Sequence, residues 1–180
     1  LPDEPWIGQY DLTLSIFEEA AESAFLAGQF KEMHDYIDTI LEHAKSLLSK
    51  IKPYEIRISA YKAENKLKMA LATGLEIMEQ LGEKFPKKAS PLTVFPDLIK
   101  TALMLRNKKL KDILALPEAK DPIKRAAIRN LANIAPSSYW GDPTVFPHII
   151  FRMCQISLKH GVTPASAFGF ATYGVIMIGA

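Results

Sequence analysis

The feature that most constrains the fold is a helical spacing of apolar residues, which fills the first 81 residues and is interrupted by short turns. Between residues 10 and 27, apolar and small side chains recur at steps of three and four, which places them on one face of an α-helix. Gly28 is a residue of the type that commonly ends a helix, because glycine tolerates a positive φ. The steps resume at once, so two antiparallel helices are expected. The two stripes consist of Leu12, Ile16, Phe17, Ala20, Ala21, Ala24 and Ala27, and of Met33, Ile37, Ile40, Leu41, Ala44, Leu47 and Leu48.

The same pattern repeats farther along the chain. The second helix is expected to end at Lys52-Pro53, because proline cannot donate a backbone hydrogen bond. Two further stripes follow, joined by a turn at Asn65-Lys66. Gly28 and Asn65 lie 37 positions apart, close to the repeat of about 34 residues found in tetratricopeptide arrays. The later stripes consist of Tyr54, Ile58 and Tyr61, and of Leu67, Ala70, Leu71, Gly74, Leu75, Ile77, Met78 and Leu81.

Beyond residue 83 the apolar spacing is less regular. Residues 84–96 are rich in proline and lysine, which predicts a connection. Short helices are expected over 97–106 and 108–116. We therefore expect an all-α fold of stacked antiparallel helix hairpins, a tetratricopeptide-like right-handed array, with hairpins over 1–83 and further hairpins packed on them over 97–180, truncated at the C-terminus.

Two Asp-Pro pairs predict further helix starts in this second half. An aspartate can cap a helix whose first residue is proline, so Asp121-Pro122 is expected to begin a helix that reaches about residue 134. Asp142-Pro143 is expected to begin another through Lys159. Gly161 ends that helix, and Thr163-Pro164 starts the last one.

Composition favours a folded protein of the reducing cytoplasm. The chain is 48% hydrophobic and 23% charged, outside the composition of disordered chains. Its 180 residues are enough for a continuous core without disulfides, and Cys154 is the one cysteine. The first residue is not methionine and the last lies inside an apolar run, so both ends are interpreted as boundaries within a longer protein.

The strongest charge feature lies between residues 100 and 129. Three carboxylates are interspersed there. This run favours a solvated face first and an acidic protein partner second. Nucleic acid is the least favoured partner, because Tyr139 and Trp140 lie outside the run and cannot alternate with its charges. The basic residues are Lys100, Arg106, Lys108, Lys109, Lys111, Lys120, Lys124, Arg125 and Arg129.

No catalytic, cofactor-binding or metal-binding residue is predicted. Glu18, Glu19 and Glu22, like Glu32, Asp35 and Asp38, are interpreted as solvated helix faces. The histidines lack the three- or four-residue step of a helical metal site, since His34 and His43 are nine apart while His148, Cys154 and His160 are spaced by six. Cys154 itself is interpreted as a buried apolar thiol.

The uncharged segment 165–180 admits two interpretations. It is too short for a typical transmembrane helix, which needs about 20 apolar residues. A buried helix is therefore favoured over a membrane span. If it ends a truncated array, Phe168, Phe170, Tyr173 and Met177 are expected to face water and to drive self-association through this helix.

Three stretches resemble one family. They are Tyr10–Leu14 with Ala20–Gly28, Leu75–Gly82 and Lys159–Gly174. The chain is similar to the tetratricopeptide-like helical middle region of large bacterial, notably cyanobacterial, multidomain signalling kinases. In that family a serine/threonine kinase-like domain and an ATPase domain precede the helical region, and sensory modules and a histidine kinase often follow it.

The resemblance implies a helical scaffold or regulatory arm that binds another domain or protein and relays conformational change. The sequence contains neither a G-x-x-x-x-G-K-[ST] phosphate loop nor the H-R-D and D-F-G kinase motifs, so any kinase or ATPase activity is expected elsewhere in the parent protein. Two alternatives stay open. The chain could be a helical sensor that binds a small effector, or an all-helical enzyme.

Overall fold

The structure, a computed structural model, describes residues 4–86 and 88–179. Over these residues the chain forms ten α-helices and no β-strand, so the expected all-α class is confirmed. The helices are α1 (Glu4–Gly8), α2 (Tyr10–Leu26), α3 (Phe30–His43), α4 (Leu48–Ala63), α5 (Leu67–Gln80), α6 (Pro91–Leu105), α7 (Leu110–Leu114), α8 (Pro122–Gly141), α9 (Phe146–His160) and α10 (Ser166–Gly179).

The helices stack as hairpins. Helix α2 packs on α3, α4 packs on α5, and α8 packs on α9. The first helices of successive hairpins also contact one another, since α2 contacts α4, α4 contacts α8, and α8 contacts α10. Helix α5 packs on α8, so the second and third hairpins are neighbours although α6 and α7 separate them in sequence. Helix α6 instead packs on α9. The stack is therefore continuous, and α6 with α7 forms an excursion from it.

The core follows the apolar stripes of the sequence. Ala21 and Ala24 pack with Met33 and Ile37 between α2 and α3, as expected from their spacing. A larger cluster joins α4, α5, α8 and α9. The closest approach is at Gly74 of α5, where an added Cβ would lie 2.2 Å from Cγ2 of Ile134. Glycine at this position lets α5 and α8 come together.

Both turns predicted from the repeat are present. Gly28 has a φ of +73° and Asn65 a φ of +57°, the left-handed conformation that ends many helices. The amide of Gly28 donates to the Phe25 carbonyl at 3.0 Å, and that of Asn65 donates to the Lys62 carbonyl at 3.0 Å. These bonds satisfy carbonyls that the helix ends would otherwise leave unpaired.

The expected helix boundary at Pro53 is wrong. Helix α3 ends at His43, and α4 begins at Leu48 and continues through Pro53. The break is set by Ser46, whose hydroxyl accepts from the Ser49 amide at 3.2 Å and so replaces a helical partner. Pro53 lies early in α4 and is buried, so its missing donor removes only one helical bond.

Three other helix bounds differ from expectation. Helix α6 begins at Pro91 rather than residue 97, which shortens the expected connection over 84–96. Helix α8 continues through Pro136 to Gly141, because the buried residues after the proline pack within the stack. Helix α9 begins at Phe146, since the Asp142 carboxylate accepts from Thr144 in a turn and does not cap the helix directly.

The last helix is packed more closely than expected. Tyr173 lies against Phe151, with 5.9 Å between ring centroids, and it and Phe170 are only partly exposed, so their expected exposure is wrong. Phe168 and Met177 do face outward. Residue 180, which the expected helix includes, lies outside the described residues. None of the described helices is long and apolar enough to cross a bilayer.

Candidate functional site

Helix α6 is fixed at its start by a reciprocal cap. The Ser90 hydroxyl accepts from the Thr93 amide at 3.4 Å, and the Thr93 hydroxyl accepts from the Ser90 amide at 2.9 Å. Pro91 occupies the first helical position, where its missing donor costs nothing. The sequence signal for this start was present, because Ser90-Pro91 repeats the device seen at Asp121-Pro122.

The outer face of α6 carries a row of exposed apolar side chains. Leu92 is 87% exposed, Phe95 61% and Leu103 62%. Together with Ile99 they recur at steps of three and four, so they share one side of the helix. They line an open groove of about 720 Å³ with Pro96, Lys100 and Met104. We call this set of seven residues the α6 surface.

Basic residues lie within the α6 surface and beyond its C-terminal end. Lys100 lies within it, and exposed cations follow its C-terminal end in the link to α7 and in α7 itself. The nearby carboxylates are turned to other partners. Asp97 binds His148, and Asp112 caps α7 by accepting from the Lys109 amide at 2.7 Å. An apolar row with a basic border results.

The inner face of α6 is held on α9 by polar contacts. Asp97 accepts from Nδ1 of His148, with 2.7 Å between the atoms, and His148 Nε2 lies 3.2 Å from the Thr93 hydroxyl. One turn farther along, the amide of Gln155 donates to the Thr101 hydroxyl at 2.9 Å. Hydrogen bonds are directional, so these contacts set the rotation of α6 and direct its apolar row outward.

Thr93, His148 and Asp97 contact one another in the order of a catalytic nucleophile, base and carboxylate. Their hydrogen bonds, however, hold the fold together. The Thr93 hydroxyl already donates to the Ser90 carbonyl at 2.9 Å within the helix cap. His148 is almost fully buried, and the lining of the α6 groove includes neither residue. The three side chains therefore clamp two helices.

A buried ion cluster lies beside this clamp. Glu83 accepts from Lys124 at 2.7 Å and from Arg152 at 2.9 Å. Burial alone would raise the pKa of Glu83, but the hydrogen bonds and charges of the two cations together hold it below its ordinary value. The carboxylate consequently stays ionised and joins α8 and α9 to the turn after α5.

The predicted solvated face at Glu18, Glu19 and Glu22 has a partner that the sequence did not reveal. Lys52 of α4 lies 3.0 Å from Glu19, 3.3 Å from Glu22 and 3.8 Å from Glu18. Burial is the largest influence on Glu18 and raises its pKa. Lys52 joins α4 to α2 through these ion pairs, so the face that was interpreted as solvated is partly covered.

The histidines and the cysteine are distributed over separate places. His43 stacks on Trp6 at 4.7 Å between centroids, and His34 lies beside Tyr61. Cys154 is buried as expected, and burial raises the pKa of its thiol to about 12. In residues 4–86 and 88–179, no group of three or more potential ligands is positioned to hold a metal ion.

The basic run over 100–129 is divided between two environments. Three of its C-terminal members form ion pairs: Lys124 with Glu83, Arg125 with Glu118, and Arg129 with Glu55. Its N-terminal members border the α6 surface. The combination of these cations with an exposed apolar row was not predicted. The spacing of Leu92, Ile99 and Leu103 is visible in the sequence, but the side of α6 that faces solvent is not.

Comparison of the chain with family models, with curated proteins and with solved structures gives no match.

Proposed function

We propose that this chain is a non-catalytic helical scaffold that binds an acidic amphipathic helix of another domain or protein on the α6 surface. The observation that supports the proposal is the row Leu92, Phe95, Ile99 and Leu103, exposed on one face of a helix whose opposite face is fixed by hydrogen bonds. Burying an apolar patch of this kind against a partner is favourable.

The dimensions fit a helical partner. Leu92 and Leu103 are separated by eleven helical steps, which span about 17 Å. That length accommodates roughly three turns of a partner helix, which presents anchors at steps of three, four and seven residues. Loss of translational freedom offsets much of the apolar gain, so we expect a dissociation constant on the order of micromolar.

Charge selects the kind of partner. The cations at and beyond Lys100 attract carboxylates and repel a basic helix, which gives specificity and faster association. An acidic amphipathic helix can cover the apolar row with its apolar face and pair its carboxylates with these cations. As part of the same proposal, we assign the chain to a scaffold or regulatory arm of a cytoplasmic multidomain signalling protein, in accord with the resemblance given above.

Two synthetic peptides test the proposal. One carries leucine at steps of three and four with glutamate on its other faces, and the second replaces each glutamate by lysine. Titration of labelled protein, followed by nuclear magnetic resonance, is expected to show saturable shifts of Leu92, Ile99 and Leu103 methyl groups with the acidic peptide alone. Equal binding of both peptides would overturn the assignment of an acidic partner.

A matched pair of variants locates the binding. The double variant Phe95→Gln with Leu103→Gln is expected to weaken the acidic peptide at least about tenfold, because two central apolar contacts are lost. The control Leu26→Gln removes an even more exposed leucine from α2 and is expected to leave affinity unchanged. Light scattering of the free protein provides a further check: a dimer dissociated by the double variant would assign the α6 surface to a second copy instead.

A further inference from the structure

The outer face of α10 is apolar and carries no charge. Residues 161–180 contain no acidic or basic side chain. Val175 is 69% exposed, Ile178 89% and Phe168 42%. With about 3.6 residues per turn, these three side chains share one side of the helix with three small residues. We call these six residues the α10 stripe: Ala167, Phe168, Ala171, Gly174, Val175 and Ile178.

The opposite face of α10 is occupied by the stack. An added Cβ on Gly169 would lie 3.0 Å from Cβ of Met153, and the ring of Tyr173 packs on Phe151. Helices α8 and α9 both contact α10. Phe170 and Tyr173, which were expected to drive self-association, are partly covered. Any association through α10 therefore uses the α10 stripe, which lies on the other side.

Large and small side chains are arranged symmetrically along the α10 stripe. Phe168 and Gly174 each lie three positions from Ala171, and Ala167 and Val175 each lie four positions from it. If two copies of the stripe cross antiparallel at Ala171, Phe168 of each copy meets Gly174 of the other, and Ala167 meets Val175. An added Cβ on Gly174 meets nothing within 4 Å, so the space above this glycine is open to a phenylalanine ring.

We propose that the α10 stripe binds a second copy of this chain in an antiparallel pair with two-fold symmetry. In such a pair the same surface of both copies forms the interface, and here it places each large side chain against a small one. A parallel pair would set Phe168 against Phe168 and leave a gap at Gly174, so it would pack less well. The neutral stripe also brings no like charges together and gives no preference for a charged partner.

A pair of single helices is expected to form a weak dimer. Helix α10 has 14 residues and is about 21 Å long. One face of such a helix buries less than the roughly 800 Å² per partner of a standard interface, so we expect a dissociation constant on the order of 100 μM. A two-fold pair is closed, and the mass should therefore rise from monomer to dimer and no further.

Sedimentation equilibrium of the whole chain, at concentrations from well below to well above this dissociation constant, tests the dimer. The mean mass is expected to double over the series and then to stay constant. A chain that stays monomeric at the highest concentration would overturn the proposal. A mass that rises beyond the dimer would also overturn it, because the interface would then not be two-fold.

Two opposite substitutions at Ala171 test the register. Ala171 is exposed, and glutamate and lysine both form helices well, so the fold is preserved. Ala171→Glu and Ala171→Lys each place two like charges together at the two-fold axis and are each expected to weaken the dimer at least about tenfold. An equimolar mixture of the two variants is expected to regain the dimer, because glutamate then meets lysine. A mixture that stays monomeric would contradict this register.

Ala72 provides the matched control. It is an exposed alanine of α5 outside the stripe, so Ala72→Glu is expected to leave the dimer unchanged, and equal weakening by Ala72→Glu would show a general charge effect and contradict the site. The double variant Phe95→Gln with Leu103→Gln is also expected to keep the dimer, since the α6 surface is separate. Loss of the dimer in that double variant but not in Ala171→Glu would overturn the assignment to α10.

Discussion

The contact between α5 and α8 and the attachment of α6 to α9 use opposite chemistry. At the first, Gly74 admits Ile134 so closely that no side chain fits between them, and the surrounding residues are fully buried. At the second, a carboxylate, a histidine and a glutamine hold the helix, while leucine and phenylalanine face water. Apolar residues are therefore buried between helices in the first region and exposed to solvent in the second.

This difference separates stability from binding. Close-packed apolar contacts stabilise by burying apolar area, whereas the directional hydrogen bonds between α6 and α9 fix the rotation of α6 without burying its apolar row. Polar attachment of α6 accordingly lets its apolar row point outward without competing for the core. Substitutions between α5 and α8 should therefore change the free energy of unfolding, whereas substitutions on the α6 surface should change the affinity for a partner.

The largest effect is expected at the closest contact. Gly74→Ala places a methyl group where it would meet Ile134, and Ile134 is enclosed by the core. Overpacking should lower the free energy of unfolding by about 2 to 3 kcal/mol in spite of the better helix propensity of alanine. Urea denaturation followed by circular dichroism measures the change.

Gly174 provides the matched control for that substitution. It also lies within a helix, and an added Cβ there meets nothing within 4 Å. Gly174→Ala should stabilise by about 0.5 to 1 kcal/mol through helix propensity alone. If the two alanine variants change stability in the same direction, the proposed close approach of α5 and α8 is wrong.

A smaller effect is expected at the ion cluster. Glu83→Gln leaves Lys124 and Arg152 without their carboxylate and should destabilise by about 2 kcal/mol at neutral pH. The pKa of Glu83 is lower in the folded chain than its ordinary value of 4.5. Its contribution is therefore present above about that pH and is lost as the pH falls through the lower folded value.

Denaturation at several pH values checks this sign. The difference in unfolding free energy between the parent chain and Glu83→Gln should be constant near neutrality and shrink below pH 4.5. The control Glu118→Gln removes an exposed ion pair with Arg125 and should change stability by less than about 0.5 kcal/mol. If this difference in unfolding free energy instead grows as the pH falls, the stabilising role of the ion cluster is wrong.

The turns and apolar stripes were predictable because they depend on local chemistry. Gly28 and Asn65 take the positive φ that their residue types tolerate, and Asp121 caps α8 through the Ile123 amide at 2.8 Å. The expectation that a proline ends a helix was wrong. Pro53 and Pro136 each lie inside a helix. Pro53 is itself buried, and Ser137 and Ser138 directly after the exposed Pro136 are fully buried, so packing of the helix outweighs one missing hydrogen bond, and that balance depends on tertiary contacts.

The candidate site was less predictable for the same reason. The stripe of α6 is visible from Leu92 to Leu103, but a sequence does not tell which of two apolar faces meets a neighbour. Asp97 and His148 are 51 residues apart, and their pairing decides the rotation of α6. Lys100, interpreted as one member of a basic run, belongs to the α6 surface.

Removal of the α6 cap should have a local effect. Ser90→Ala deletes the hydroxyl that accepts from Thr93 and should cost about 1 kcal/mol. Hydrogen exchange is expected to speed up in the first turn of α6 while the α5 amides keep their protection. Ser15→Ala, which removes a mid-helix hydroxyl of α2, serves as control and should leave α6 unchanged.

The smallest effect on stability is expected where the effect on binding is greatest. Phe95→Gln and Leu103→Gln replace side chains that are 61% and 62% exposed, so they should change the free energy of unfolding by no more than about 0.5 kcal/mol. The same pair is expected to abolish most of the affinity for the acidic peptide. Urea denaturation of the double variant, set beside Gly74→Ala, measures the contrast directly. A loss of several kcal/mol in the double variant would mean that these side chains contribute to the core, and α6 would then belong to the packed stack and offer no free surface.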